Sequence, residues 1–173
     1  YDYIKNSIYK TYLACDAVSE EILLSHHYRC NEKIIAFNNQ KYYNNKLVIN
    51  SQSQADTPLI FKNIAGNTTN YKNTAPREAE EIIEFIKDNP DKSIGVITPF
   101  TNQKELIHAM LQENGMKDVP CGTVHAFQGD EKDVVLFSLA LTEQTGQGTY
   151  DWLKNNKELI NVATSRAKEQ LVI

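Results

Sequence analysis

The stretch Ser93–Thr98, reading SIGVIT, is almost unbroken in apolar residues and lies between two segments patterned as helices. A strand that is apolar at nearly every position needs cover on both faces, as in a parallel sheet. Before it, Pro76 opens a segment with Ala79, Ile82, Ile83 and Ile86 at helical spacing, and Asn89-Pro90 stops it. After it, Asn102–Asn114 is apolar at Leu106, Ile107, Met110 and Leu111, with Thr101 as the expected cap and Gly115 as the end. The same rhythm extends in both directions. Ile22–Ser25, Leu47–Asn50, Leu59–Ile64, Cys121–His125, Val134–Leu139 and Gln170–Ile173 read as strands, and Glu32–Tyr43 and Glu158–Lys168 as helices. Strand and helix alternating at this spacing specify an α/β fold in three layers around a mainly parallel central sheet.

The 173 residues suit one domain, 1–173, with 41% hydrophobic and 23% charged residues. Cys15, Cys30 and Cys121 lie far apart, which argues against a structural zinc site and, with no secretory segment, for a reducing cytoplasmic compartment. The four histidines lack metal-ligand spacing, so no metal site is expected within the chain. No apolar run approaches the ~20 residues of a membrane span, so no membrane partner is expected. The net charge of -4 neither supports nor excludes nucleic acid, because a protein can grip the backbone through a local patch. The asparagine pairs 38–39, 44–45 and 155–156 read as compositional habit. Because the chain stops inside the apolar run Leu171-Val172-Ile173, it is expected to be part of something longer.

In open sheets of this kind function collects beyond the carboxyl ends of the strands. Four polar elements are expected to converge there: Ser25–Arg29, Thr98–Gln103, His125–Asp133 and Asn161–Lys168. Arg29 suits a forked contact to a phosphate; taken alone, a surface arginine or one pairing with Glu32 is the commoner role for such a residue. Arg166, placed on the last helix, suits a reach toward a neighbouring lobe or an ordinary solvated face. In TVHAFQGDEKDVVLFS two strands flank a charged turn, and Gln-Gly is a poor choice for a tight hairpin. Gly129 supplies backbone freedom, Gln128 both a donor and an acceptor, and Glu131 or Asp133 a partner for a ribose hydroxyl or an arginine.

These segments, taken in order, resemble the second RecA-like domain of superfamily 1 helicases, in the branch of the nonsense-decay helicase and its DNA-replication relatives. HHYRCNEKIIAFNNQKYYNNKL resembles QYRMHP followed by a helix and FYNGKL, and IGVITPFTNQKELI resembles GVITPY followed by a glutamine. TVHAFQGDEKDVVLFS resembles TVDxFQGxExDxVIxS, and INVATSRAKEQLVI resembles LNVAxTRAKxxLxI. The departures are HYRCNE in place of QYRMHP and His125 in place of an aspartate.

The resemblance implies an ATP-dependent DNA or RNA helicase, with this chain as the second motor domain. It implies that Arg29 and Arg166 reach the γ-phosphate of ATP, and that Tyr28, Gln128, Gly129 and Glu131 lie at the nucleotide cleft. It places Thr98, Thr123 and His125 against a single strand of DNA or RNA, and Gln103 in support of the cleft. No segment reads GxxxxGK[ST], so ATP and Mg2+ are expected to be held mainly by a first RecA-like domain of the same chain, with none bound tightly here. The isolated domain is then expected to be inactive. The alternative is a degenerate, non-hydrolysing module that binds nucleic acid or protein. EQTGQGTY, residues 143–150, carries no assigned role.

Overall fold

The computed structural model describes residues 8–15, 23–67, 71–127 and 130–173. The elements run α1 (Ile8–Cys15), β1 (His26–His27), α2 (Glu32–Tyr42), β2 (Val48–Ile49), β3 (Leu59–Ile60), α3 (Pro76–Asp88), β4 (Ile94–Thr98), α4 (Thr101–Glu113), β5 (Cys121–Thr123), β6 (Lys132–Phe137), α5 (Gln147–Asn155), α6 (Lys157–Thr164) and β7 (Ala167–Val172). Five strands form one sheet in the order β3-β7-β6-β4-β5, parallel at every pairing. The short pair β1-β2 is separate and also parallel. The expected α/β architecture is the one observed.

The period of two along the central strands sorts the core into two layers. Val134, Leu136, Ile94, Val96 and Val172 face α3 and α4, where Ile82, Ile83, Ile86, Ile107 and Leu111 cover them. Val135, Phe137, Ile97 and Leu171 face the other way, against Ile34 and Ile35 of α2 and Ala163 of α6. Each fully buried branched side chain contributes about 1.5–3 kcal/mol over an exposed one, so both helical layers are needed to seat the sheet.

The connection from β5 to β6 travels from the carboxyl edge of the sheet back to its amino edge. Phe127 pins it: the ring is buried against β4 and β5, where Gly95 and Gly122 leave room. A methyl group at Gly95 would come within 2.9 Å of both Phe127 and Lys132. The phenylalanine of the FQG segment is thus a core residue.

Several boundaries differ from the sequence reading. The first strand is His26–His27, beyond Ser25, and Ile22 lies outside the described residues. β3 is only Leu59–Ile60, an edge strand with β7 as its sheet partner. α4 begins at Thr101, so its N-cap residue is Phe100 rather than Thr101 and supplies no side-chain cap, while Thr98 Oγ1 accepts from the Phe100 amide at 3.3 Å. Gly115 does close α4 in the left-handed region (φ 75°). The polar stretch 142–156 contains α5, held by its buried residues Thr149 and Leu153.

The largest difference is the last helix, which ends at Thr164 rather than Lys168. Residues 167–172 are claimed by the sheet, where pairing to β6 satisfies their backbone, so Arg166 sits on a turn. The asparagine pairs also have structural work. Asn39 clamps Leu47 through two hydrogen bonds of 3.0 and 2.9 Å, and Asn44 and Asn45 take positive φ after α2, a conformation asparagine tolerates. Asn38 donates to the Asn161 carbonyl and accepts from Thr164 Oγ1, joining α2 to α6.

Candidate nucleotide edge and strand edge

The four polar elements do not share one edge. Thr98 and Thr123 stand side by side at the carboxyl ends of β4 and β5, whereas Glu131, Arg166 and Lys168 flank the amino ends of β6 and β7. At ~3.3 Å per residue a five-residue strand separates these edges by about 13 Å.

At the amino edge three segments distant in sequence are tied through their backbones. The Asn31 amide donates to the Lys168 carbonyl at 2.7 Å, and the Lys132 amide to the Arg166 carbonyl at 3.1 Å. Cys30 Sγ donates to the Ser165 carbonyl at 3.3 Å. These ties place Arg29, Glu131, Arg166 and Lys168 together. Glu131 bridges two cations, with Oε2 2.6 Å from Arg29 Nε and Oε1 3.1 Å from Lys168 Nζ. The hydrogen bond from Lys168 holds its carboxyl below the usual range; burial opposes it, and the charges of Arg29, Lys168 and Arg166 add to the lowering.

Arg166 completes the cluster. It follows α6, and its Nε donates to the Val162 carbonyl at 3.2 Å, using a helix-end acceptor that lacks an intrahelical partner. Burial, and then the neighbouring Arg29 guanidinium, push its pKa down, while Cys30, Glu131 and Asp130 act in the opposite direction. It stays protonated at any physiological pH. Arg29, Glu131 and Lys168 each keep between 37% and 41% of the side chain exposed, so an incoming anion has access. The cluster is therefore an accessible group of three cations answered by one bridging carboxylate.

His27 and Cys30 support this edge without chemistry of their own. The Cys30 amide donates to His27 Nε2 at 3.0 Å, and burial followed by the Arg29 charge lowers the His27 pKa, which keeps that nitrogen free to accept. Burial pushes the Cys30 thiol up to about 12, so it is no nucleophile at neutral pH. Among the described residues no group of three or more His, Cys, Asp and Glu side chains is arranged to hold a metal ion. Nor is any helix among them long and apolar enough to cross a membrane.

The carboxyl edge is built differently. Gln103 is fully buried: Oε1 accepts from the Ala75 amide at 2.7 Å, and Nε2 donates to the Ala75 carbonyl at 3.2 Å and to Ser138 Oγ at 3.0 Å. Ser138 Oγ in turn donates to Glu78 Oε2 at 2.7 Å, which also accepts from the Ala140 amide. Burial raises the Glu78 pKa, and the two hydrogen bonds oppose it. This network locks the starts of α3 and α4 to the end of β6.

A family model described as AAA domain matches residues 4–173. The chain belongs to the AAA domain family. The AAA domain is similar to an uncharacterised ATP-dependent helicase of Methanocaldococcus jannaschii, with 29% identity over 87% of this chain and 26% of that protein. It is 31% identical to the DNA polymerase alpha-associated DNA helicase A of Saccharomyces cerevisiae, over 84% of this chain and 26% of the relative. It is also 31% identical to the ATP-dependent helicase upf1 of Schizosaccharomyces pombe, over 69% of this chain and 14% of the relative. The chain thus spans about a quarter of the length of the first two. Among solved structures, the C-terminal domain of a possible DNA helicase from Lactobacillus plantarum WCFS1 superposes with a TM-score of 0.52, covering 84% of each chain at 15% identity. The AAA domain accordingly has the RecA-like α/β fold that the sequence motifs implied.

Within the AAA domain, the structure brings Arg29, Glu131 and Arg166 together, and Arg29 pairs with Glu131 rather than Glu32. Tyr28 is exposed beside them, stacked on His26 with ring centroids 6.2 Å apart. Gln128 and Gly129 lie outside the described residues. Thr98 is fully buried and spends its hydroxyl on Phe100, which leaves it no surface for a strand, whereas Thr123 is half-buried and His125 exposed. Gln103 is an internal tie far from the cations. Lys168 was not singled out from the sequence as a site residue, because helical periodicity assigned it to a solvated face; its place in SRAK, two residues from Arg166, was the available signal.

Proposed function

We propose that this AAA domain is the second motor lobe of an ATP-dependent helicase or translocase that acts on single-stranded DNA or RNA. Arg29 and Arg166 are its arginine fingers, presented from the amino edge to the γ-phosphate of ATP seated on a first RecA-like lobe. The observation that carries the reading is the convergence of Arg29, Arg166 and Lys168 around Glu131 from three distant segments.

The physics favours such an arrangement. Charge develops on the transferring phosphoryl group, and guanidinium groups brought in by lobe closure stabilise it more than they stabilise the open state. Until then Glu131 neutralises Arg29 and keeps it extended rather than collapsed onto the surface. Tyr28, Gln128 and Gly129 belong to the same cleft in this reading. With no phosphate loop in the sequence and, among the described residues, no carboxylate cluster fitted to a cation, the chain in this reading leaves ATP and Mg2+ to the first lobe, where the ion would neutralise phosphate charge. Turnover by the isolated domain is then negligible. Thr123 and His125, at the opposite edge, meet the backbone of the strand, so nucleotide state and strand grip are linked through the sheet between them.

The test is to replace Arg29 and Arg166 separately by alanine in the longer protein and measure ATP turnover with and without a single strand. Turnover should collapse in both. Unchanged turnover in both variants would remove the finger assignment, and robust turnover by the isolated domain that depends on Arg166 would remove the two-lobe reading.

A further inference from the structure

Residues 142–156 carry none of the roles assigned above, yet they build a groove at the carboxyl edge. α5 is fastened there by Leu153, which packs with Ala75, Phe100 and Ala140, and by Thr149 Oγ1, which donates to Asn73 Oδ1 at 3.4 Å. The fastening holds Trp152 against Phe100, with ring centroids 5.8 Å apart and planes tilted by 39°. Phe100 is buried beneath it, but 40% of Trp152 remains exposed. A rigid indole is thus presented to solvent on a packed base.

Two adjoining grooves of about 390 and 440 Å³ meet at this place and share Lys72, Asn73, Gly148 and Thr149. Among the described residues Lys72 is the one charged residue in either lining, and neither contains a carboxylate. In a chain with 22 acidic residues and a net charge of -4, a lining whose described charge is a single cation leaves a phosphate no carboxylate to face directly. Asp151, on the same helix, accepts from Gln147 Nε2 at 3.0 Å and is absent from both linings. Asn102 Nδ2 donates to the Lys72 carbonyl at 2.9 Å and so fixes the Lys72 segment to the first turn of α4. The floor is made of hydroxyls, amides and glycine backbone, which suit a sugar-phosphate chain better than an apolar protein surface.

We infer that this groove is a base-stacking subsite for single-stranded nucleic acid: one base lies on the exposed face of Trp152, and the adjoining phosphate faces Lys72. The inference rests on the proposed strand path, since the groove begins at Pro99, directly after β4, whose last residue is paired with Thr123. It gives residues 142–156 the task of holding one base while the sheet edge holds the backbone. Stacking of this kind does not depend on base identity, because every base offers a π face.

Trp152 is the chain's one tryptophan, so its fluorescence reports directly on the subsite. Oligo(dT) and oligo(U) added to this chain should quench the emission, and an abasic oligonucleotide of the same length should not. W152A should weaken binding, read by anisotropy of a labelled strand, by about five- to 150-fold, the range of one lost base stack. W152F should keep most of the affinity, and because it preserves the contact with Phe100 it controls for misfolding. K72A should reduce the salt dependence of binding by about one phosphate contact. Strand binding without quenching, or equal quenching by the abasic strand, overturns the stacking subsite and leaves the Thr123–His125 path standing. Failure of every oligonucleotide to bind overturns both.

Discussion

The two edges of the one sheet solve opposite electrostatic problems. At the amino edge, Arg29, Arg166 and Lys168 are gathered with a single bridging carboxylate, Glu131, and the groups stay partly exposed. At the carboxyl edge, Gln103, Ser138 and Glu78 form a buried network in which the backbone of Ala75 and Ala140 takes part. Exposed ion pairs are worth little to folding, about 0–1 kcal/mol each, because water and salt screen them. Buried polar groups are costly to leave unpaired. The first edge is therefore available for chemistry, and the second holds the scaffold still.

The sharpest contrast should come from Arg166→Ala. Under the proposed finger role, the variant placed in a longer two-lobe protein should lower ATP turnover by about 10³ to 10⁵, with little change in strand affinity measured without nucleotide. An equal loss of strand affinity would break the division between the edges. Gln103→Leu should do the reverse: the Ala75 amide and carbonyl lose their partner in a buried setting, which should cost about 2–4 kcal/mol in chemical denaturation. A cost near zero would show that the network is not what locks the carboxyl edge.

Glu78 adds a pH signature. Its folded pKa is raised, so its contribution to stability is complete below the unfolded value of 4.5 and is lost as pH rises through the folded value. Wild type should therefore lose stability relative to Glu78→Gln as pH climbs above 4.5, and parallel pH profiles for the two would contradict the burial of that carboxyl. The smallest effect belongs to Glu131→Gln, whose cost in thermal or chemical unfolding should stay under about 1 kcal/mol and shrink with added salt. Its sign is opposite to that of Glu78: a depressed carboxyl contributes above 4.5 and loses its contribution as pH falls through the folded value.

The parts of this fold legible in sequence are those where one residue's surroundings follow from its near neighbours. SIGVIT announces a strand covered on both faces, Pro76 and Gly115 mark helix boundaries, and the isoleucines of α3 declare a buried face. The Arg29 and Arg166 segments were recognisable as motifs, although the edge they occupy was not. The expectation of one shared edge failed because the β5–β6 connection crosses the sheet, and the feature that seats it, Phe127 over Gly95 and Gly122, joins three separate segments.

The last helix shows where local pattern stops being sufficient. Residues 165–168 continue a plausible helical face, but strand pairing to β6 satisfies their neighbours' backbone groups and turns Arg166 and Lys168 toward Glu131. By itself the sequence determined the alternation of elements, the apolar faces and the identity of the charged segments, because these depend on periods of two and 3.6 residues. Only the tertiary structure decided which charges meet, that Thr98 is hidden and that Trp152 is presented. Those outcomes depend on which backbone groups pair and which side chains exclude water across separations of tens of residues.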